Sequence, residues 1–205
     1  MCGIAGLINF DLNCQKENPG KVLRNMLDHL RHRGPDDRGE ERIQSANGTT
    51  FHLGHQRFSI IDLTLGGHQP MSNDDKSVWI STNSEIYNYK EIKRDLELKG
   101  HRFSSNSDSE VIVHGYEEWG VNVLQKLKGM FAFACWDNKL KKLILARDRF
   151  GEKPLYYGWI QDTFFFTSDL ITIKHIENFE PEIDKEALYR YINLNYIPCP
   201  GTIYK

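Results

Sequence analysis

The sequence predicts an α+β protein in which antiparallel sheets pack together and helices cover them. Segments such as "MFAFACWD" and "TFFFTSDL" have aromatic and β-branched residues at the density of strands. Several strands are separated only by short turns, and two of the amphipathic helices follow one another between two groups of strands. This order lacks regular βαβ units and favours antiparallel sheets over a parallel α/β arrangement.

The first third of the chain predicts a strand, a helix and a hairpin. The strand runs from Gly3 to Phe10, and the helix lies within "GKVLRNMLDHLRHRG", where Gly34 and Pro35 stop it. Two strands within "ERIQSANGTTFHLGHQRFSIIDL" surround a hairpin turn at Asn47-Gly48. The buried face of the helix is predicted to consist of Val22, Leu23, Met26, Leu27 and Leu30.

The rest of the chain predicts a strand, two helices, four strands and a last helix. "SVWISTN" is the strand, and "YKEIKRDLELKG" is a helix that ends before Gly100. "SDSEVIVHGYEEWG" predicts a capping box and a helix closed by a glycine. The strands are "MFAFACWD", "KKLILARDRF", "KPLYYGWI" and "TFFFTSDL", with a turn at "DNK", and "DKEALYRYINLNY" is the last helix, capped by Asp184.

Composition excludes several classes of function. The chain has 205 residues, 40% of them hydrophobic, and a net charge of −2, which suits one soluble domain with a short extension. The near-neutral charge gives no reason to expect nucleic acid or an anionic membrane as a partner. No apolar run approaches the roughly 20 residues of a membrane helix, and a secretory signal is not evident.

The four cysteines lie far apart and form no CxxC pair or zinc-type spacing, so we predict no metal site. Few cysteines and no signal peptide indicate a cytoplasmic protein. We interpret Cys14, Cys135 and Cys199 as structural or incidental.

Cys2 is the candidate nucleophile. If Met1 is removed, Cys2 carries both a thiol and an α-amino group, whose pKa of about 7.7 to 8.0 suits a base near neutral pH. One extra residue would convert that amine into a non-basic amide. A Met-Cys start alone is weak evidence, and a redox-sensing cysteine is an alternative interpretation.

Seven motifs in a consistent order strengthen the catalytic interpretation. They are "MCGIAGLINF", "RHRGPDD", "GHQRFSIIDL", "GGHQPM", "NSEIYNYKEI", "SDSEVIVHGYEEWG" and "LKGMFAFACWD" followed by "LILARDRFGEKPLYYG". Together they resemble the class II glutamine amidotransferase domain at the N-terminus of asparagine synthetases, from Met1 to about Asp169. The resemblance implies the N-terminal nucleophile hydrolase fold, a four-layer α/β/β/α sandwich of antiparallel sheets.

The resemblance also implies an activity and a domain organisation. The family hydrolyses the side-chain amide of L-glutamine through a thioester on the cysteine and releases glutamate and ammonia. Residues 1–180 would form the glutaminase domain, and residues 181–205 the start of a connection to a C-terminal synthetase domain. No cofactor is expected in this chain, whereas ATP and Mg²⁺ are expected in the synthetase domain, which would use the ammonia to convert aspartate into asparagine. A homodimer is left open.

Matching positions give the expected glutamine site. Arg57 would bind the α-carboxylate of glutamine and Asp108 its α-ammonium group, with Glu85 nearby. An arginine on a strand and an acid at a helix start also have ordinary structural roles. The segment after Arg57 would line the pocket through Phe58, Ser59, Ile60 and Ile61.

The expected oxyanion hole contains a departure from the family. The resemblance assigns its two donors to the side chain of Asn83 and the backbone N–H of the next residue, which is glycine in the family and Ser84 here. If the backbone needed φ > 0 at Ser84, or if the hydroxyl crowded glutamine, activity would fall. An impaired glutamine-binding domain is therefore one alternative, and a glutaminase serving another acceptor, such as a cell-surface sugar, is a second.

Other motif residues are expected to have structural roles. "RHRGPDD" is interpreted as a turn that buttresses the site, and Arg147, Asp148 and Arg149 as members of internal ion pairs. Glu152 is expected to face solvent. The terminal amine serves as the base, so no histidine is required for catalysis.

Overall fold

The computed structural model describes residues 1–10, 18–44 and 48–205. Within these ranges the strands are β1 (Gly3–Asn9), β2 (Asp37–Gln44), β3 (Thr50–Arg57), β4 (Met71–Ser72), β5 (Val78–Ile86), β6 (Gly129–Asp137), β7 (Lys142–Arg147), β8 (Tyr156–Ile160) and β9 (Thr163–Thr167). The α-helices are α1 (Pro19–Leu30), α2 (Tyr89–Glu97), α3 (Glu110–Trp119), α4 (Val123–Lys126) and α5 (Lys185–Leu194). None of them combines the length and apolar character needed to cross a bilayer.

Two antiparallel sheets form the centre of the fold. One has the strand order β2-β3-β1-β9-β8, and the other has the order β4-β5-β6-β7. β1 is the central strand of the first sheet, where Ala5 is paired with Gly54 on one side and Thr167 on the other. In the second sheet, β5 pairs with β6 from Val78 to Ile86. The prediction of antiparallel sheets is confirmed.

The two sheets and the helices outside them form four layers, with an apolar core between each neighbouring pair. Alternate residues of β1 face opposite sides, as the two-residue period of a strand requires. Ala5 and Leu7 pack in the core beneath α1, whereas Ile4 and Ile8 pack in the core between the sheets. On the far side of the second sheet, β5 and β6 pack against α2 and α3. This order is the α/β/β/α sandwich that the motifs implied.

Several local predictions are confirmed because the signals that produced them are short-range. The five apolar residues predicted for the buried face of α1 are all buried. Gly100 and Gly120 follow α2 and α3 with φ of +97° and +56°, which suits glycine. The Asp184 carboxylate accepts hydrogen bonds from two backbone N–H groups at the start of α5.

Two local predictions are wrong. The capping box does not form: Glu110 accepts hydrogen bonds from the backbone of Ser104 and Ser105, and Ser109 precedes the helix without a side-chain cap. The strand predicted through "FSIIDL" ends at Arg57, and residues 58–64 form a loop. The hairpin residue Asn47 and Cys14 lie outside the described residues. The proposed domain boundary at residue 180 remains a prediction.

Candidate active site

A partly open cleft of about 510 Å³ lies beside the start of β1. All but one of the predicted site residues line it: Cys2, Arg57, Phe58, Ile60, Ile61, Asn83, Ser84, Glu85 and Asp108. The exception is Ser59, whose backbone N–H donates to Asp36 Oδ2 at 2.8 Å. Residues separated by more than 100 positions in the chain therefore meet in one cleft.

Cys2 is held at the cleft by the backbone of Phe58. The N–H of Phe58 donates to Cys2 Sγ at 3.4 Å, and the Sγ lies 3.7 Å from the Phe58 carbonyl oxygen. Burial raises the pKa of the thiol, against the opposing effects of Phe58, the terminal amine and Arg57. A buried thiol of this kind is a poor nucleophile until a base removes its proton.

The "RHRGPDD" segment buttresses the cysteine, as predicted. Arg33 Nε donates to the Cys2 carbonyl oxygen at 3.2 Å. Gly34 packs so closely on β3 that an added Cβ would lie 2.4 Å from the Gln56 carbonyl oxygen. Asp36 receives the N–H of Ser59. This segment therefore fixes both the nucleophile and the loop that follows Arg57.

Arg57 organises that loop. Its guanidinium is buried and donates to the backbone carbonyl oxygens of Thr64, at 2.9 Å, and of Asp62. An added Cβ on Gly67 would lie 2.0 Å from Arg57 Nη2, so a larger residue there would displace the guanidinium. A guanidinium has five N–H groups, so donors beyond these two can bind a carboxylate bidentately from the cleft wall. The same contacts turn the chain away from β3, which explains why the predicted strand stops.

Asp108 supplies a buried carboxylate opposite in charge to Arg57. Its Oδ2 accepts the N–H of Ile86 at 2.8 Å, which fixes the side chain at the cleft. Burial is the main cause that raises the pKa of Asp108 to about 6, and the neighbouring Glu85 adds to it. A cationic ligand would remove that electrostatic cost, so the site is suited to an ammonium group.

The edge of β5 presents a hydrogen-bond donor to the cleft. Alternate N–H groups of a strand point to opposite edges, so those of Thr82, Ser84 and Ile86 point the same way. The Thr82 N–H donates to Gln69 Oε1 at 2.7 Å, and the Ile86 N–H donates to Asp108, both in the cleft wall. The Ser84 N–H between them therefore faces the cleft.

The Asn83 side chain supplies a second donor. Its Nδ2 is buried and has no hydrogen-bond partner among the described residues. A buried amide without a partner is costly and uncommon in folded proteins. Together with the Ser84 N–H, it forms a pair of donors suited to a developing oxyanion in the cleft that holds Cys2.

Ser84 is compatible with this arrangement. It lies in the extended backbone of β5, opposite Phe131 of β6. Its side chain points to the same side as Ile80 and Ile86, which pack against the helices, and so away from the cleft. The serine therefore retains the N–H donor without placing its hydroxyl on the ligand. The Oγ is buried and has no hydrogen-bond partner in the described part of the chain.

Several lining residues were not predicted. They are Met1, Asp62, Gly67, Gln69, Thr82, Ser107, Ser109 and Lys153. Gly67 and Gln69 belong to the "GGHQPM" motif, which contributed to the family resemblance although none of its residues was assigned a role in the site. Lys153 is buried, and its Nζ lies 3.7 Å from Met1 Sδ. Only the tertiary structure brings its "GEKP" segment to the cleft.

The prediction that Arg147, Asp148 and Arg149 form internal ion pairs is wrong. Arg147 donates to the carbonyl oxygens of Lys153, at 2.6 Å, and of Gly151. Asp148 accepts backbone N–H groups, including those of Phe131 and Lys153. No ion pair involves Arg147, Asp148 or Arg149 within residues 1–10, 18–44 and 48–205. Arg147 and Asp148 instead stabilise the turn through hydrogen bonds to its backbone, and Glu152 is exposed as expected.

Comparisons with known proteins agree with this geometry. The family described as "Glutamine amidotransferase domain" matches residues 1–205. Asparagine synthetase [glutamine-hydrolyzing] 1 of Bacillus subtilis is 39% identical over 99% of this chain and 31% of its own length. A putative asparagine synthetase [glutamine-hydrolyzing] 2 of Methanocaldococcus jannaschii is 37% identical over 100% of this chain and 41% of its own length.

Solved structures show the same fold. Glutamine phosphoribosylpyrophosphate amidotransferase from B. subtilis, complexed with ADP and GMP, aligns with a TM-score of 0.67 and 21% identity. The alignment covers 89% of this chain and 45% of that structure. A structure titled as the allosteric regulatory enzyme of purine biosynthesis also has a TM-score of 0.67, at 22% identity, over 84% of this chain and 43% of that one. The chain thus spans less than half the length of these curated relatives and structures.

Proposed function

The chain belongs to the glutamine amidotransferase domain family, and from this premise we propose that its cleft hydrolyses L-glutamine to glutamate and ammonia. One observation carries the proposal: Cys2 shares its cleft with two oxyanion donors and with a cation and an anion suited to an amino acid. Arg57 binds the α-carboxylate of glutamine, and Asp108 binds its α-ammonium group. The side-chain amide then extends toward Cys2.

The reaction uses the α-amine of Cys2 after Met1 is removed. The amine takes the thiol proton, and the thiolate attacks the amide carbon of glutamine. Asn83 Nδ2 and the Ser84 N–H stabilise the resulting oxyanion. The carbon–nitrogen bond breaks, the proton passes to the leaving nitrogen as ammonia forms, and a thioester remains on Cys2. Water attacks the thioester, which releases glutamate and restores the thiol.

We propose that this chain is the glutaminase part of a larger protein and that another domain of that protein uses the ammonia. The relatives named asparagine synthetase support a C-terminal synthetase domain that takes this ammonia, with ATP and Mg²⁺ bound in that domain and aspartate as the acceptor. A cytoplasmic location is part of the same proposal. An amidotransferase with another acceptor would use the same glutaminase chemistry.

N-terminal mass spectrometry and ammonia release test the glutaminase proposal. We expect Met1 to be absent, a glutamine-like diazoketone to label Cys2, and ammonia to form at a rate that Cys2→Ala abolishes. Cys199→Ala is the matched control, because Cys199 is exposed and does not line the cleft. Retention of Met1 in an active preparation, or unchanged turnover in Cys2→Ala, would contradict the proposal.

A further inference from the structure

A cluster of two histidines and a glutamate lies outside the cleft, on the helix layer. Ligand atoms from His101, His114 and Glu117 all lie within 4.8 Å of one another. His101 belongs to the connection between α2 and α3, whereas His114 and Glu117 lie one turn apart on α3. The glutaminase chemistry uses none of them.

The three ligand atoms are close enough to converge on one metal ion. Glu117 Oε2 lies 2.8 Å from His114 Nδ1 and 3.8 Å from His101 Nδ1. A tetrahedral zinc ion with bonds of about 2.0–2.2 Å separates its ligand atoms by about 3.3–3.6 Å. Zinc would therefore replace the hydrogen bond between His114 Nδ1 and Glu117 Oε2, move these two atoms apart and draw His101 closer. His101 lies on an irregular connection rather than in a helix, so a small adjustment can bring its ring into place.

The groups behind the three ligands strengthen the case. The far nitrogen of each ring faces a carboxylate: His101 Nε2 lies 3.3 Å from Glu118 Oε2, and His114 Nε2 lies 3.7 Å from Glu110 Oε1. The other oxygen of Glu117 accepts a hydrogen bond from Asn73 Nδ2 at 2.8 Å. Carboxylates behind metal-binding imidazoles orient the rings, and metal binding would release the proton that His114 Nδ1 shares with Glu117 Oε2.

The charge around the cluster and its access to solvent also suit a bound cation. Glu110, Glu117 and Glu118 bring three carboxylates to the cluster, while Lys99 pairs with Glu118 at 2.7 Å. A divalent cation would offset the remaining negative charge. The His114 side chain is 5% exposed, whereas those of His101 and Glu117 are 17% and 28% exposed, so an ion can enter from solvent.

We propose that His101 Nδ1, His114 Nδ1 and Glu117 Oε2 bind one zinc ion, with water as the fourth ligand. The ion would fix the connection between α2 and α3 onto α3. Glu110, which faces His114, also accepts the N–H groups of Ser104 and Ser105 in that connection. The same connection delivers Asp108 to the cleft. The zinc site is therefore structural, and its test does not depend on glutaminase activity.

Titration of the chelator-treated full chain with Zn²⁺ and Co²⁺ tests the site. We expect one equivalent of Zn²⁺ by calorimetry and a tetrahedral Co²⁺ spectrum without thiolate charge-transfer bands. At a hundredfold excess of Zn²⁺ over Kd, the melting temperature should rise by about 5–10 °C. Failure to bind, or thiolate bands in the cobalt spectrum, would overturn the proposal.

Variants identify the ligands. His101→Gln and Glu117→Gln should weaken Zn²⁺ binding by about a hundredfold or more, and Glu118→Gln by about tenfold, since groups behind a ligand typically contribute 10- to 100-fold. His175→Gln is the matched control, because His175 Nε2 lies 2.8 Å from His29 Nδ1 in a separate histidine pair. Circular dichroism without metal checks that each variant folds. If a ligand variant does not fold, the loss of Zn²⁺ affinity in Glu118→Gln tests whether the cluster binds the ion. Loss of binding in His175→Gln, with retention in the cluster variants, would refute the assignment.

Discussion

Replacing Ser84 by alanine should make the protein more stable without reducing glutamine hydrolysis. The Ser84 Oγ is buried on the helix side of β5 and has no hydrogen-bond partner in the described residues. Alanine retains the Cβ that packs in this layer and removes only the unpaired hydroxyl. The backbone N–H that faces the cleft is unchanged, so the oxyanion hole keeps both donors.

The size of the effect follows from the environment of the hydroxyl. Burying a polar group without a partner costs about 1–3 kcal/mol, so Ser84→Ala should stabilise the fold by about that amount. For a chain of this length each kcal/mol raises the melting temperature by about 2–4 °C. Ser84→Gly restores the residue expected in the family, but glycine in a strand costs about 0.5–1 kcal/mol and offsets part of the gain.

Thermal unfolding and an ammonia-release assay measure the two effects separately. Ser81→Ala is the matched control in the same strand, because the Ser81 Oγ donates to the Gly54 carbonyl oxygen at 3.0 Å. That variant should lose about 1 kcal/mol. A lower melting temperature for Ser84→Ala would refute the reasoning about its hydroxyl. A strong rise in turnover for Ser84→Gly would instead show that the serine impairs the oxyanion hole.

Three further predictions concern the cleft. Asn83→Ala should lower kcat by about 10²–10³ in steady-state ammonia release, while its melting temperature should not fall, because the buried Asn83 Nδ2 has no described partner to lose. Arg57→Lys should raise KM for glutamine by about ten- to hundredfold, since a lysine cannot bind a carboxylate bidentately; an unchanged KM would exclude this role. The pH profile of kcat/KM should fall more steeply below pH 6 than between pH 6 and 8, because the Asp108 pKa of about 6 must be crossed to charge the group that binds ammonium, in addition to the titration of the α-amine. Asp108→Asn should remove that limb of the profile.

The same Asp108 pKa has a consequence for stability. Its folded-state pKa is raised from 3.8 to about 6, so the stability that the protonated group contributes is lost as pH rises through 6. Asp108→Asn should therefore unfold at a higher temperature than the unchanged chain at pH 8, although it binds glutamine poorly. A lower melting temperature at pH 8 would contradict the assigned burial cost. A charged group whose burial lowers the stability of the fold is typical of a binding site.

The order and spacing of residues were enough to predict antiparallel sheets covered by helices and a candidate nucleophile. The alternation of apolar residues placed the strands, helical spacing identified the buried face of α1, and the motifs identified Cys2, Arg57, Asn83 and Asp108. These signals are local, because periodicity and turn chemistry act over a few residues. Local patterns therefore placed the strands and helices and pointed to Cys2, whereas the layer order and the roles of Arg57, Asn83 and Asp108 came from the resemblance of the motifs to a known family.

Contacts between distant segments were decided only by the tertiary structure. The loop after Arg57 leaves the sheet because the guanidinium binds the carbonyl oxygens of Asp62 and Thr64, a side-chain contact that overrides the strand propensity of "FSII". Lys153 reaches the cleft through the turn at Asp148, and His101 meets α3 through an irregular connection. The direction of the Ser84 hydroxyl depends on the register of β5 against β6, which hydrogen bonds set across about 50 residues of intervening chain. Such long-range pairings leave no periodic trace in the sequence.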